Sequence, residues 1–497
     1  MMATAVNHSR GVPLAQLLGS SAAQFGAVRV TGVQLDSRRV QPGDLFLALP
    51  GSSHDGRQFI EQAVARGAAA VLAQAPVAGF VDALPVPLLE QPELAAEAGL
   101  IAARYYGDPS AAMDVIGVTG TNGKTTSSRL IAQLLRSAGQ RCGVIGTLGA
   151  TLDDAVIAAP TTTPDAVALQ QQLASWRDAG VAAVSMEVSS HALVQDRVNG
   201  IHFDIAVFTN LSRDHLDYHG DMAAYGRSKL RLFARPGLRH AVINLDDPFA
   251  TAILASLPAS VQAWRYSASG AAAAEIRVTT PRFHSDGVSA ELETPWGRGT
   301  FASPLPARFN LANVAASATC ALLLGLDLER TLAAIGALQP VPGRMQLVPN
   351  SAGLQVVVDY AHTPDALEQA LAALRPQVAG RLVVVFGCGG DRDPGKRAVM
   401  GHIACAGADH VVLTSDNPRG EDPLTILRDI AAGCSGSVET EPDRALAITA
   451  AVAGAAKGDC ILIAGKGHED YQLIAGQRLH FSDAEVAAAA LQQRPPA

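Results

Sequence analysis

The chain is short of positive charge. Its 497 residues carry 38 lysines and arginines against 46 aspartates and glutamates, a formal net charge of −8. That balance argues against a nonspecific nucleic-acid binder, which carries a basic face. Anionic substrates stay open, because a few local arginines bind them whatever the total charge. Cysteine is scarce and scattered: Cys142, Cys320, Cys388, Cys405, Cys434 and Cys460 form no C-x-x-C pair. The spacing excludes a disulfide framework or zinc ribbon and fits reduced thiols in a cytoplasmic protein. No apolar run reaches membrane-spanning length, and Met1 to Leu18 lacks the apolar stretch of a secretory signal. The expectation is a cytoplasmic protein with no membrane segment and no nucleic-acid partner.

What is present is an ordinary globular composition, 48% hydrophobic and 17% charged, long enough for two to four domains. Residues 1–107 alternate short β-like runs (Val28–Val33, Leu45–Leu49, Ala70–Ala73) with one helical stretch, Phe59–Arg66. A turn-rich break at Tyr105–Pro109 precedes a second segment, 108–340. Its strand candidates are Val144–Thr147, Val181–Val188, Ile205–Asn210 and Ala241–Leu245, separated by helical patterns. This alternation predicts a parallel sheet covered on both faces. Another break at Gln339–Gly343 opens a third segment, 341–497, with buried strands Val356–Asp359, Leu382–Phe386, His410–Thr414 and Cys460–Ala464. Each ends in polar or glycine-rich residues, the edge where open α/β sheets hold ligands. The fold class expected is α/β in three domains, with no short-period repeat and no coiled coil.

The most informative stretch is 115–126. Val115–Val118 suits a buried strand, and it breaks into Gly120, Thr121, Asn122, Gly123, Lys124, Thr125 and Thr126. Gly120 and Gly123 allow backbone N–H groups to turn inward around phosphate oxygens. Lys124 offers an ammonium to the β- and γ-phosphates, and Thr125 a hydroxyl to Mg²⁺. Leu130, Ile131, Leu134 and Leu135 follow at helical spacing, so the phosphates would meet a helix N-terminus. The strict phosphate-loop pattern has glycine where this chain has Val118. The strand–turn–helix context still points to a nucleoside triphosphate site, against an ordinary strand-to-helix turn.

Two strand ends add polar groups. Glu187 closes the apolar run Val181–Val188, and a buried glutamate is costly unless it meets a cation or donors. Beside a phosphate loop, ligation of Mg²⁺, directly or through water, is the economical reading against a structural ion pair. Ile205–Thr209 leads into Asn210-Leu211-Ser212-Arg213-Asp214-His215-Leu216-Asp217. There His215 is a candidate metal ligand, the alternative being a solvated loop of charges.

With these blocks the chain resembles the Mur ligases, ATP-dependent amide-forming enzymes of peptidoglycan precursor synthesis. The resemblance is carried by Gly120–Thr126, Met186–His191, Asn210–Asp217, Phe309-Asn310, Pro342–Met345, Asp359–Pro364, Gly387–Asp393, Asp416–Arg419 and Gly465–Asp470. They run in order over nearly the whole chain.

The resemblance implies a division into a UDP-binding α/β domain (1–107), a central ATPase domain (108–340) and a Rossmann-like C-terminal domain (341–497). It implies transfer of the γ-phosphoryl of ATP to the carboxylate of a UDP-muramoyl dipeptide, then attack by the amine of meso-diaminopimelate, in a monomer. Lys124, Glu187, His215 and Lys229 are implied as catalytic. Thr125, Glu187 and His215 would hold Mg²⁺, with Lys229 as a CO₂-derived carbamate (N6-carboxylysine). Read from the residues alone, Lys229 is a surface helix lysine. Asn310, Arg344 and Asp359 are implied to contact ATP beyond its phosphates. For the UDP substrate the matched positions are Leu35, Ser37, Ser52, Ser53, His54, Thr161, Thr162, Thr163, Ser189, Gln195 and Arg197. Relatives commonly read Asn-Thr-Thr-Gly where this chain has Thr161-Thr162-Thr163-Pro164. For diaminopimelate they are Arg392, Asp416, Asn417, Pro418, Arg419, Gly465 and Glu469. Competing expectations are a lysine-adding relative, a folylpolyglutamate synthetase-type ligase, and a phosphate-loop kinase or NTPase with no amide product.

Overall fold

A computed structural model describes residues 11–51, 54–81, 84–153, 155–158, 161–284 and 287–494. Three larger sheets organise them. Near the N-terminus, strands Gly32–Gln34, Asp44–Ala48, Ala70–Gln74 and Leu88–Gln91 pair in parallel. The expected run Val28–Val33 is split, Arg29–Val30 pairing instead with Val12–Pro13. The helical stretch near 59–66 is a 3₁₀ turn, Gly56–Phe59, continued by the helix Ile60–Ala65.

Two further helices there, the short Leu14–Leu18 and the longer Leu94–Tyr106, were not expected from the sequence; the longer one carries more of the packing. Its buried face is built largely of small residues (Ala98, Gly99, Ala102, Ala103), so its apolar stripe is faint in the sequence. It packs on helix Ala166–Asp178 of the following segment and shares its core. It ends at Gly107, whose φ of 72° is the left-handed cap that favours glycine.

The largest sheet has eleven strands. Its parallel core runs in the spatial order Cys142–Gly146, Ala183–Glu187, Asp114–Thr119, Ile205–Phe208, His240–Asn244, Gln262–Ser267 and Ile276–His284. The first five of these are buried along almost their whole length because helices cover both faces, whereas Gln262–Ser267 and Ile276–His284 carry polar and exposed positions. Beyond the parallel sheet expected, one edge continues antiparallel through Gly287–Thr294 and Gly297–Ser303. The other edge is extended by Gly149–Leu152 and Ala155–Ile157, also antiparallel.

The third sheet orders Gln355–Asp359, Cys460–Ala464, Leu382–Phe386 and His410–Leu413 in parallel, with the short Glu439–Thr440 at one edge. The antiparallel Gln346–Leu347 borders the other edge. Among the described residues no helix is long and apolar enough to cross a membrane.

Candidate active site

Strand Asp114–Thr119 lies inside the parallel part of the large sheet, between Ala183–Glu187 and Ile205–Phe208, and the chain leaving it emerges at the sheet's carboxyl edge. The turn there is fixed by glycine: Gly120 sits at φ 150° and Gly123 at φ 82°. A Cβ on Gly120 would collide with the Thr209 hydroxyl, and one on Gly123 would lie 2.6 Å from Asn313 Oδ1. The loop is pinned to the neighbouring strand end by Asn122 N–H donating to Asn210 Oδ1 (2.9 Å) and by Thr209 Oγ1 donating to Asn122 O (2.6 Å). Helix Lys124–Ser137 begins at Gly123 with no side-chain cap, which leaves its first N–H groups for an anion.

Lys124 Nζ donates to Gly120 O (2.9 Å) and Thr121 O (2.7 Å). Burial lowers its pKa, partly opposed by Glu187 and Asp214. Lys229 reaches the same place from helix Met222–Phe233. Its Nζ donates to Gly120 O at 2.8 Å and lies 4.2 Å from the centre of the Tyr225 ring. It is fully buried. The surface-lysine reading of this residue is therefore wrong: the inward face of that helix carries Tyr225, Lys229 and Phe233, and the lysine stem packs with them. Burial and the charge of Lys124 drive the Lys229 pKa well below its ordinary value.

Glu187 is buried at the end of its strand, on the other side of the loop. It accepts from Thr125 Oγ1 (3.1 Å), Thr147 N (2.8 Å) and Thr147 Oγ1 (3.0 Å). All are neutral donors, so its negative charge is left for a cation. His215, at φ 55°, lies with Nε2 3.3 Å from Asp214 Oδ2. Burial pulls its pKa down to about 3, and the imidazole is neutral. Asp214 is buried. Burial would raise its pKa, but His362, His215 and Lys396 together hold it well below the usual carboxylate range.

The C-terminal sheet closes over this wall. Arg344 Nη2 donates to Thr125 Oγ1 (3.0 Å), its guanidinium 4.3 Å from the Tyr360 ring centre. Asn122 Nδ2 donates to Asp365 Oδ2 (2.9 Å), and Arg213 pairs with Asp393 (3.0 Å). Asp359, at the end of its strand, accepts from Met345 N (2.7 Å), and burial raises its pKa. Together these surfaces enclose a cavity of about 480 Å³ lined by Gly120–Thr126, Glu187, His215, Lys229, Arg344 and Asp359. Its size falls within the roughly 300–1,000 Å³ of small-ligand sites.

Asn310 stands behind that wall, donating to Pro306 O (2.6 Å) and accepting from Asn313. The lining surface there is Phe309, Ala312 and Asn313. Sequence reasoning did not single out Asn313 or Thr147. Asn313 stands one helical turn after Asn310, and Thr147 follows directly on the strand end 142–146, the only signals available. Asp214 and His362 lay inside quoted motifs without a role.

The residues expected to meet the UDP substrate fall in two groups. Thr162 Oγ1 is 3.1 Å from Thr147 Oγ1 at the cavity edge. Thr161 Oγ1 donates to Thr163 O, and Thr163 Oγ1 to Glu187 O (both 2.9 Å). Arg197 joins Thr163 O (2.9 Å) to the Gln195 side chain, and Ser189 Oγ accepts from Ala192 N as a helix cap. Leu35, Ser37 and His54 lie apart, at the carboxyl ends of the N-terminal sheet, with Ser37 Oγ donating to Gln62 Oε1 (2.7 Å). Ser52 and Ser53 fall outside the described residues.

The amino-acid set gathers at the carboxyl edge of the third sheet. Asn417 Nδ2 and Lys466 Nζ both donate to Glu469 Oε2 (2.8 Å each), so this carboxylate of the diaminopimelate set already holds an internal lysine. Gly465, at φ 116°, leaves room for Asp416: a Cβ there would lie 2.6 Å from Asp416 Oδ2. Pro418 O accepts from Glu421 N. Arg419, at φ 54°, donates from Nη1 to Gly390 O (2.8 Å). Arg392 is exposed and bonds only backbone, at Asp391 O (3.1 Å).

Three family models match the chain: "Mur ligase family, catalytic domain" over 29–105, "Mur ligase middle domain" over 118–321 and "Mur ligase, glutamate ligase domain" over 343–467. Two relatives named UDP-N-acetylmuramoyl-L-alanyl-D-glutamate–2,6-diaminopimelate ligase are similar along most of the chain. The one from Coxiella burnetii is 48% identical over 97% of this chain and 100% of its own. The one from Pseudomonas aeruginosa is 51% identical over 92% of this chain and 94% of its own. A solved structure of a ligase with that name is 39% identical, with a TM-score of 0.71, covering 97% of this chain and 99% of its own. A folylpolyglutamate synthase from Mycobacterium tuberculosis, at 22% identity and a TM-score of 0.65 over 81% of this chain and 95% of its own, shares the fold.

Proposed function

The chain belongs to the Mur ligase family, and from that premise we propose that it joins meso-diaminopimelate to UDP-N-acetylmuramoyl-L-alanyl-D-glutamate at the expense of ATP. The observation that carries this is the meeting of Lys124, Lys229, Glu187 and Arg344, from two sheets, around one cavity. Relatives of that name at 48–51% identity supply the substrates. The division of labour follows the chain: 1–107 takes the UDP end, 108–340 the ATP, and 341–497 the amino acid. In this reading the protein acts as a monomer in the cytoplasm.

The reaction gathers three anions, a triphosphate and two carboxylates, and moves charge between them. The loop amides and Lys124 bind the phosphates, and Lys124 stabilises charge on the oxygen bridging to the leaving ADP. Arg344, arriving from the C-terminal side, holds the γ-phosphate in line. Transfer of the phosphoryl group gives an acyl phosphate on the dipeptide. The free amine then attacks its carbonyl carbon, the C–O bond to phosphate breaks, and inorganic phosphate and one proton leave.

Thr125, Glu187 and His215 fit Mg²⁺: an unpaired buried carboxylate, a hydroxyl and a neutral imidazole face one space. Among the described residues no group of three or more His, Cys, Asp or Glu forms a metal cage, which suits an ion that keeps waters and phosphate oxygens as ligands. When bound, the ion would neutralise phosphate charge. Burial and the charge of Lys124 lower the Lys229 pKa, which favours the neutral amine that carbamylation by CO₂ uses, and the carbamate would add a carboxylate to the cavity that Glu187 also lines.

Incubation with the UDP-dipeptide, ATP and an amino-acid panel, read as phosphate release and product mass, tests the reading. Phosphate release without an amide product, or a product only with a folate, would overturn it.

A further inference from the structure

A second cavity, of about 190 Å³, lies on the far side of the phosphate-loop helix, between that helix and the linker Pro340–Pro342. Two cations line it, Arg129 and Arg136, seven residues apart and therefore on one face of the helix. Among the described residues no carboxylate lines it. Arg136 spends Nε and Nη2 on Cys142 O (3.0 and 2.6 Å), which fixes its guanidinium plane. Arg129 differs: its Nε is buried with no hydrogen-bond partner. Burial lowers its pKa, Glu187 partly opposes this, and the like charges of Arg136 and Arg344 add to it. A guanidinium held beside a second one without an acceptor is costly unless a ligand completes it.

The cavity wall is also anchored. Between the two arginines Gln133 clamps the linker with a pair of amide bonds, Nε2 to Gln339 O (3.2 Å) and Oε1 from Gln339 N (2.7 Å). The linker leads directly into Arg344, which touches Thr125 at the start of the same helix. We propose that Arg129 and Arg136 form a binding site for a small tetrahedral oxyanion of the inorganic phosphate type, separate from the phosphate loop. Its volume admits such an ion with a few waters and is below that of nucleotide-sized sites. Arginine forks suit the oxyanion's edges. The bound ion would tie the phosphate-loop helix to the linker that carries Arg344. The site does not depend on which amide the protein makes.

The test uses the full chain with its nucleotide site saturated by Mg²⁺ and a non-hydrolysable ATP analogue. Titration calorimetry with inorganic phosphate at fixed ionic strength should show one binding event, weakened about tenfold or more in Arg129→Gln. Affinity for the ATP analogue should be unchanged in that variant, and adenosine monophosphate, too large for the cavity, should give no heat. Wild-type crystals soaked in selenate should show an anomalous peak between Arg129 and Arg136, a result that needs no variant. The proposal is overturned by absence of phosphate heat or by heat insensitive to Arg129→Gln. It is equally overturned by an equal loss of nucleotide affinity, by binding of the monophosphate, or by selenate only at Gly120–Thr126.

Discussion

Lys124 and Lys229 donate to the same acceptor, the carbonyl oxygen of Gly120, at 2.9 and 2.8 Å. Two lysines from different helices thus converge on one backbone atom in a buried site. One carbonyl dipole does not compensate two ammonium charges, and the charge of Lys124 adds to burial in lowering the proton affinity of Lys229. In the proposed reaction the pair would be resolved by negative charge from outside, phosphate oxygens on Lys124 and conversion of Lys229 to a carbamate. On that proposal Lys124 serves the nucleotide and Lys229 takes up CO₂.

Lys124→Ala should lower ligation by ~10² or more, because the charge it neutralises develops in the transition state. Single-turnover phosphate release with saturating ATP checks this. Near-normal turnover would remove the phosphate-loop assignment.

Lys229→Ala should fold and be nearly inactive, with partial recovery when a short-chain carboxylic acid is supplied to fill the gap. The low pKa of Lys229 keeps a nucleophilic amine available near neutrality, so active wild-type protein should carry one CO₂ on this residue. High-resolution density or mild mass spectrometry of a fully active sample showing bare lysine would sink the idea.

Stability should fall between about pH 6.5 and 4. Burial depresses His191 to about 4, and His215 and His468 to about 3, from an ordinary 6.5. His219 and His240 shift the same way. In that window the unfolded chain binds protons that the folded one refuses, so acid favours unfolding. A fully buried histidine would contribute at most about 1.4 kcal/mol per pH unit, and these partly buried rings contribute less. The value for His215 is smaller, since 36% of its side chain is exposed. Exposed His480, raised by Glu485, acts in the opposite direction. Urea midpoints measured across this range should drop steadily, and a flat profile would contradict the burial of these rings.

Much of the site was legible because its parts sit at the ends of continuous apolar strands. Asp114–Thr119, Ala183–Glu187 and Leu382–Phe386 announce themselves by composition, and within each sheet parallel topology brings the carboxyl ends to one edge. Lys229 was not legible from its residues: a lysine in an amphipathic helix reads as surface until the helix's packing is known. Helix Leu94–Tyr106 hid behind small residues. The antiparallel strands Gly287–Thr294 and Gly297–Ser303 lacked a long apolar run. Contacts such as Asn122–Asp365 and Arg213–Asp393 span 243 and 180 residues, a separation at which local pattern carries no information.

The amino acid added should be selected by Arg419. Diaminopimelate differs from lysine by a second carboxylate, and a pocket that tells them apart needs a cation. Arg419 stands at φ 54° on the loop after strand His410–Leu413, stiffened by Pro418 and tied down by Arg419 N–H to Leu473 O (2.9 Å). Only its Nη1 is used, on Gly390 O and Asn417 O, which leaves the other edge of the guanidinium for a carboxylate. Glu469 is engaged by Lys466 and Asn417, so it orients the loop and is a weaker candidate for the distal ammonium. Lysine in this pocket would leave Arg419 without its anion, a loss of several kcal/mol in discrimination. Arg419→Ala should therefore cost far more in kcat/KM with diaminopimelate than with lysine. If the wild type used both amino acids equally, or Arg419→Ala kept the preference, the specificity would lie in another residue.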